Sequence, residues 1–298
     1  MKWAVLFGAL AILLLSLFLP ALAYAVSPHA SEVEITPKIT VKGAAAMGKP
    51  AKPPKQAATG ILGAPVQGEK WAVIIGISDY SGEVNDLEFA DDDALDMVNA
   101  LTTMYGYKPE NIHLFISDYK TNNATAAEIL TAINWLSEKA KQDDEVLFFY
   151  SGHGARGKAN DGDKEAVDEA IVPYECTTDS LIWDGQLAAL FSGFAASRII
   201  FIFDSCYSGG MKDLAVAGRI VVMACAESSL SYEFESVQNG QFTYYFVDQG
   251  MLSGSADTID HVSGQADVTV EEAFDYAKVN CKYQNPVISD LFANDLLL

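Results

Sequence analysis

Arg198-Ile-Ile-Phe-Ile-Phe-Asp-Ser-Cys-Tyr-Ser-Gly-Gly210 decides how this chain is read. Five consecutive apolar residues, Ile199 to Phe203, leave no polar face, as in a strand covered on both sides. The strand then breaks into a polar, glycine-rich turn. Val146-Leu-Phe-Phe-Tyr150 followed by Ser151-Gly152-His153-Gly154 repeats that construction. Trp71–Ile77 and Arg219–Met223 are two further apolar runs, and Asn111–Ile116 reads as a fifth strand. Helical spacing lies between them: 89–104 through Phe89, Leu95, Met97, Leu101 and Met104, and 125–141 through Ile129, Ile133 and Leu136. Further helices are expected over 183–195, 242–251 and 270–279, a polar loop over 154–168, and an edge strand at Leu296–Leu298. Strands alternating with helices predict an α/β fold, a mostly parallel central sheet of about six strands with helices on both faces.

In such sheets the chemistry gathers where loops leave the carboxyl ends of strands. His153 ends one buried strand and Cys206 another. If those strands are neighbours, the two side chains form a nucleophile and its base. The thiolate attacks a carbonyl, while His153 assists its formation and later protonates the leaving amine. The amides of Gly154 and Cys206 are placed to hold the oxyanion. A lone cysteine at a strand end is usually a small buried hydrophobe. Here the paired setting, each residue closing an apolar run beside glycine, argues for catalysis.

Composition narrows the alternatives. The 298 residues are 50% apolar and 20% charged, which suits a globular protein. Nineteen Lys and Arg against forty Asp and Glu give a net charge of −21, so a nucleic-acid backbone is not an expected partner. After the first strand Ser78-Asp79-Tyr80-Ser81-Gly82 is no phosphate-binding glycine loop, which argues against a nucleotide-binding protein. The charge is uneven: residues 1–68 hold six lysines against Glu32 and Glu34, ahead of a strongly acidic body.

Lys2, the apolar run Trp3–Leu19 and Ala21-Leu22-Ala23 have the parts of a secretory signal peptide. The expected division is therefore 1–25 signal peptide, 26–68 a Pro/Lys-rich linker or propeptide, and 69–298 the folded domain. The protein is expected to be secreted or held at an extracytoplasmic surface, touching a membrane only through an uncleaved N-terminal segment. Export would expose the four cysteines to oxidation, with Cys176–Cys281 the candidate pair.

Ser151-Gly152-His153-Gly154 together with Asp204-Ser205-Cys206-Tyr207-Ser208-Gly209 resembles the caspase-like cysteine peptidases, most of all the metacaspases. The resemblance covers residues 70–298. Ile74-Ile75-Gly76-Ile77, Leu87 through Asp93, and Asp168-Glu169-Ala170-Ile171-Val172-Pro173 support it. It implies a caspase-haemoglobinase fold and a Cys–His endopeptidase. The chain departs from caspases in reading Asp204-Ser205 before the cysteine, and no arginine follows its first strand.

The resemblance also places Asp204 in the S1 pocket, with an aspartate before the first helix, best matched by Asp93 over Asp91 and Asp92. Two carboxylates there would take Arg or Lys at P1 and reject Asp. Cys225 is a further candidate for that pocket, or a core cysteine. The expected substrates are proteins or peptides with basic P1 residues. A lysine-rich tail on such an enzyme suggests self-processing. Of Lys42, Lys49, Lys52, Lys55 and Lys70, proline follows Lys49 and Lys52, which favours the other three.

No cofactor is required on this reading. Calcium is the one metal to consider, at the carboxylate-dense loop Asn160–Glu169, which reads more readily as a solvated acidic loop. His29, His113 and His261 lack zinc-ligand spacing. The other readings are a catalytically silent caspase-like binding module, which loss of Cys206 or His153 would signal, and a legumain- or clostripain-like specificity.

Overall fold

The computed structural model describes residues 28–43, 56–82, 85–118, 121–162 and 164–298. The segment expected to be a signal peptide, and Lys49, Lys52 and Lys55, lie outside them.

In chain order the elements are strands β1 (Ala30–Thr36), β2 (Ile39–Val41) and β3 (Lys70–Ile77), helix α1 (Ala90–Thr103), β4 (Ile112–Asp118) and β5 (Thr121–Asn122). Then come α2 (Ala126–Lys139), β6 (Glu145–Ser151), β7 (Gly154–Ala159), β8 (Asp168–Ile171), β9 (Ile182–Trp183) and α3 (Asp184–Ser192). They are followed by β10 (Arg198–Asp204), β11 (Arg219–Met223), β12 (Tyr232–Phe234) and β13 (Asn239–Gly240). A helix α4 runs from Gln241 with widened turns over Tyr244–Leu252, and α5 (Val270–Asn280) and β14 (Val287–Asp290) end the fold.

The central sheet has the order β14-β11-β10-β6-β3-β4-β5. Its five inner strands are parallel and its two edge strands antiparallel. Alternation along β3 splits the core: Val73, Ile75 and Ile77 face α2 and α3, whereas Ala72 and Ile74 face α1, α4 and α5. The helices form where expected because each has an apolar stripe. α2 and α5 also start on capping boxes, Thr125 with Glu128 and Thr269 with Glu272. The α/β expectation therefore stands. The strand count becomes seven through the two-residue β5.

Four expectations change. The supposed loop 154–168 begins with β7 and leads into β8, and these two join β1 and β9 in a separate sheet of order β1-β7-β8-β9. Gly-Ala-Arg-Gly-Lys-Ala has no strand periodicity of its own, and backbone pairing on both sides makes it one. Residues 26–68 are not a featureless tail, because β1 pairs with β7 and β2 with β12. The edge strand is Val287–Asp290 rather than Leu296–Leu298, where buried Leu296 and Leu298 pack into the core instead. Cys176 and Cys281 are free thiols, since Cys176 packs on the α2–α3 side of the sheet and Cys281 on the other.

At the amino-terminal edge of the sheet, Arg198 pairs with the fully buried Glu145 at 2.7 Å, and the Tyr107 hydroxyl donates to the same carboxylate at 2.8 Å. Arg198→Ala strands that charge. It is expected to cost about 3–5 kcal/mol, read as a lower midpoint in denaturant with unchanged slope.

Candidate active site

The two motif strands are neighbours. β6 and β10 run parallel in a register that sets Tyr150 beside Phe203 and Ser151 beside Asp204. His153 and Cys206 therefore leave the sheet at the same level, each two residues past a paired position. Gly154 lies against the nucleophile turn, where a Cβ would fall 1.8 Å from the Cys206 carbonyl oxygen, so only glycine fits. The residue after the cysteine, Tyr207, is left-handed at φ 61, a conformation that costs a non-glycine residue about 1–2 kcal/mol. Its amide is held by the Ser229 carbonyl at 2.9 Å, and the chain turns directly into the short helix Ser208–Leu214.

The side chains of Cys206 and His153 are both buried. The Cys206 thiol donates to the Pro37 carbonyl at 3.3 Å and accepts the Ser231 amide at 3.3 Å. Burial pushes it up to about 12, against the pull of the Ser231 backbone. His153 stacks on Tyr80, with centroids 3.9 Å apart, and Tyr80 Oη accepts its amide at 2.7 Å. Its Nε2 meets the Asn85 carbonyl, and its buried Nδ1 has no hydrogen-bond partner among the described residues. Burial pulls the imidazole down to about 4, partly opposed by Asn85. No hydrogen bond among the described residues joins His153 to Cys206. Burial thus favours the neutral form of both side chains.

Beside Cys206 is an acidic pocket. Asp204 ends β10 with no exposed surface, and Asp93 sits on the first turn of α1, equally buried. Asp204 accepts from Ser231 Oγ at 2.7 Å and from the Thr243 amide and hydroxyl at 3.1 and 2.8 Å. Asp93 accepts from Ser151 Oγ at 2.6 Å and the Gly240 amide at 2.8 Å. Between them lies the Lys38 ammonium, 3.0 Å from Asp93 and 3.2 Å from Asp204, with a third contact of 2.7 Å to Ser151 Oγ. All three side chains are sealed from solvent. Burial works against the ammonium, but Asp204 and Asp93 outweigh it and hold Lys38 above its usual range. Asp93 is displaced upward chiefly by burial, with Lys38 opposing and Asp204 adding to the shift.

The structure thus gathers His153, Gly154, Cys206, Asp204 and Asp93 at one edge of the sheet. Asp91 instead engages Ser78, as an acidic residue at a helix start can. Cys225 lies behind the nucleophile turn, its thiol within 3.2–3.3 Å of the Ser229 and Ser205 carbonyls, and it makes no hydrogen bond to Lys38, Asp93 or Asp204. Sequence reasoning missed Lys38, Ser151, Ser231, Gly240 and Thr243 as pocket residues. Only Lys38 had a readable signal: Val33-Glu-Ile-Thr36 and Ile39-Thr-Val41 alternate as strands do, on either side of it.

A carboxylate cluster lies apart from this pocket. Oxygens of Asp161, Asp168 and Asp184 lie within 4.8 Å of one another, as do those of Glu165, Glu169 and Asp184. Burial and the acidic neighbours Glu227 and Glu165 raise Glu169 to about 8. An all-oxygen donor set of this kind suits a hard divalent cation.

Residues 70–215 match the sequence profile of a family described as metacaspase, peptidase C14 domain. Metacaspase-1 of Kluyveromyces lactis is 36% identical over 153 residues, which is 49% of this chain and 35% of that protein. Metacaspase-1 of Schizosaccharomyces pombe is 34% identical over 153 residues, 50% of this chain and 36% of that one. Metacaspase-1A of Aspergillus oryzae is 33% identical over 181 residues, 56% and 43% respectively. The chain spans less than half the length of these relatives. A crystal structure of a Geobacter sulfurreducens protein shares the fold, with a TM-score of 0.55 and 18% identity over 76% of this chain and 95% of that one.

Proposed function

From a chain that is caspase-like in sequence and fold, and most like the metacaspases, we infer a cysteine endopeptidase that cuts after Lys or Arg. The observation that carries the specificity is Lys38. A lysine ammonium occupies the pocket beside Cys206 with two carboxylates and a hydroxyl as its ligands. The same cradle accepts the end of an arginine or lysine P1 side chain and repels an acidic one.

The chemistry assigns each residue one task. The Cys206 thiol gives its proton to His153 and adds to the P1 carbonyl carbon. The oxygen takes the negative charge against the Cys206 and Gly154 amides. As the carbonyl re-forms, the C–N bond breaks and the amine leaves with the proton from His153. Water, deprotonated by the same imidazole, then hydrolyses the thioester and restores the thiol.

Gly240 bounds the pocket. A Cβ there would lie 2.4 Å from Asp204 Oδ2, 2.7 Å from Asp93 Oδ2 and 2.8 Å from the bound ammonium. Gly240→Ala is therefore expected to lower kcat/KM for basic P1 substrates by about 10²-fold, mostly through KM, because the methyl occupies the cation's place.

Three further expectations belong to this reading. The N-terminal segment directs the chain to the cell exterior or its surface. Self-processing falls at lysines outside the pocket, Lys42 or Lys55. Lys70 is removed from that set because it begins the central strand β3 and its ammonium is tied to the Tyr105 carbonyl at 2.7 Å. Calcium would be held by Asp161, Asp168 and Asp184 with Glu165 and Glu169, where it would neutralise their mutual repulsion.

The test is turnover of fluorogenic peptides with P1 Arg, Lys, Asn or Asp by chain lacking residues 1–25, with calcium and with chelator. Cleavage confined to Arg and Lys supports the reading. Cleavage confined to Asn or Asp would overturn the pocket assignment.

A further inference from the structure

We propose that residues 30–41 are a built-in inhibitor that fills the substrate cleft in a register the enzyme cannot cut. This rests on the peptidase reading above and adds its regulation.

The segment crosses the whole site. β1 pairs antiparallel with β7, the strand after His153, up to Thr36 opposite Gly154. Pro37 then lies over the nucleophile, its carbonyl accepting the thiol of Cys206. Lys38 drops into the acidic pocket, and β2 continues parallel to β12, with Ile39 beside Tyr232 and Val41 beside Phe234. Substrate backbone would have to occupy this same path.

The register makes it an inhibitor rather than a substrate. Cleavage after a basic residue requires that residue's own carbonyl at the sulfur while its side chain fills the pocket. Here the side chain belongs to Lys38, but the oxygen at the sulfur belongs to Pro37, one residue earlier. Attack on the facing carbonyl would sever Pro37–Lys38, with proline supplying the acyl group and the lysine on the leaving side. The nitrogen that would leave on cleavage after Lys38 is the Ile39 amide. It is held by the Ser231 carbonyl at 3.0 Å instead of facing His153. The peptide is thus anchored by the group the enzyme recognises and misaligned by one residue at the atom it attacks.

The attachment is also releasable. β1 is an edge strand with three of its seven residues exposed and none fully buried, and its ion pairs, Glu34–Arg156 and Glu32–Lys158, lie at the surface. Pairs of that kind contribute little and weaken in salt. Only Lys38 is held deeply. A cut or pull elsewhere in the tail, or a competing cation in the pocket, would free the site.

Two variants test this in the full chain without residues 1–25. Lys38→Gln removes the anchor. Ile39→Pro leaves the pocket intact and deletes the amide bond to Ser231. Two quantities are read: turnover of a P1-Arg peptide, and the rate at which iodoacetamide alkylates Cys206, followed by mass spectrometry. Both variants are expected to exceed the parent at least tenfold in each, and the parent is expected to keep its 37–38 and 38–39 bonds through prolonged incubation. Equal turnover and equal alkylation in all three chains would overturn the inhibitor and leave the peptidase reading standing. Faster alkylation without turnover would support the inhibitor and count against the peptidase. Cleavage of the parent at 37–38 or 38–39 would show a productive register and overturn the proposal. Because Lys38→Gln leaves two buried carboxylates unpaired and can unfold the chain, Ile39→Pro decides if they disagree.

Discussion

Cys206→Ala, made in a chain already carrying Ile39→Pro, is expected to lose turnover of P1-Arg peptides by at least about 10³-fold. The alanine removes the thiol to which the attack is assigned at the carboxyl edge of β10. Water is the sole replacement, and nothing in the site is shaped to hold it against a carbonyl. His153→Ala should fall by a similar factor near neutral pH, for a different reason: the thiol remains but nothing takes its proton. Burial holds Cys206 up at about 12 while the Pro37–Lys38 segment covers it. Freed and hydrated, it should ionise at lower pH but still without help. The two variants therefore separate in their pH profiles. His153→Ala should recover part of its loss as pH rises and the thiolate forms unaided, whereas Cys206→Ala should stay flat. Turnover retained by Cys206→Ala would remove the dyad from the mechanism altogether.

The parts of this arrangement that were legible in the sequence are those fixed by local patterning. Ile199–Phe203 and Val146–Tyr150 are apolar on both faces, so they could only be inner strands. Their following glycines marked where the chain leaves the sheet. The site legible by that route was His153, Gly154, Cys206 and, through the family resemblance, Asp204 and Asp93. The rest depended on pairing between distant segments. β7 is a strand because β1 and β8 flank it, and β1 is a strand because β7 is there. Neither has an apolar run to announce it. Proline and lysine dominate residues 49–55, and beside them the short alternation at Val33–Thr36 is a weak strand signal. Lys38 was hidden for the same reason. A lysine is expected in water, and its burial is intelligible only once Asp93 and Asp204 are known to converge from α1 and β10. The suggested Cys176–Cys281 bond failed because sequence gives no indication of which face of a sheet a loop cysteine reaches.

That convergence of charge also predicts how recognition should respond to pH. With Lys38 withdrawn, Asp93 and Asp204 lose the cation that lies between them. Asp93 is displaced upward by burial even with the ammonium present, and the ammonium opposes that shift. Withdrawing the cation takes away that opposition while Asp204 still adds to the shift, so Asp93 is expected to stay displaced upward. Below its raised value Asp93 carries a proton, and the pocket presents less negative charge to an incoming cation. Above that value the pocket presents both. Binding of a cationic competitive inhibitor such as agmatine to the Ile39→Pro chain is thus expected to tighten as pH rises from about 6 to 8, by at most about tenfold per pH unit for the one titrating group. A neutral inhibitor should show no such trend. Asp93→Asn should abolish the pH dependence and fix binding at the weak, low-pH level, while keeping a hydrogen-bond acceptor for Ser151. Asp204→Asn should weaken binding more deeply, by about 10²-fold or more, because it removes a charge that has three donors besides the cation arranged around it. Agmatine binding that is flat in pH, or that weakens as pH rises, would mean Asp93 is not the titrating wall of the pocket. Asp204 would then have to account alone for the basic P1 preference proposed above.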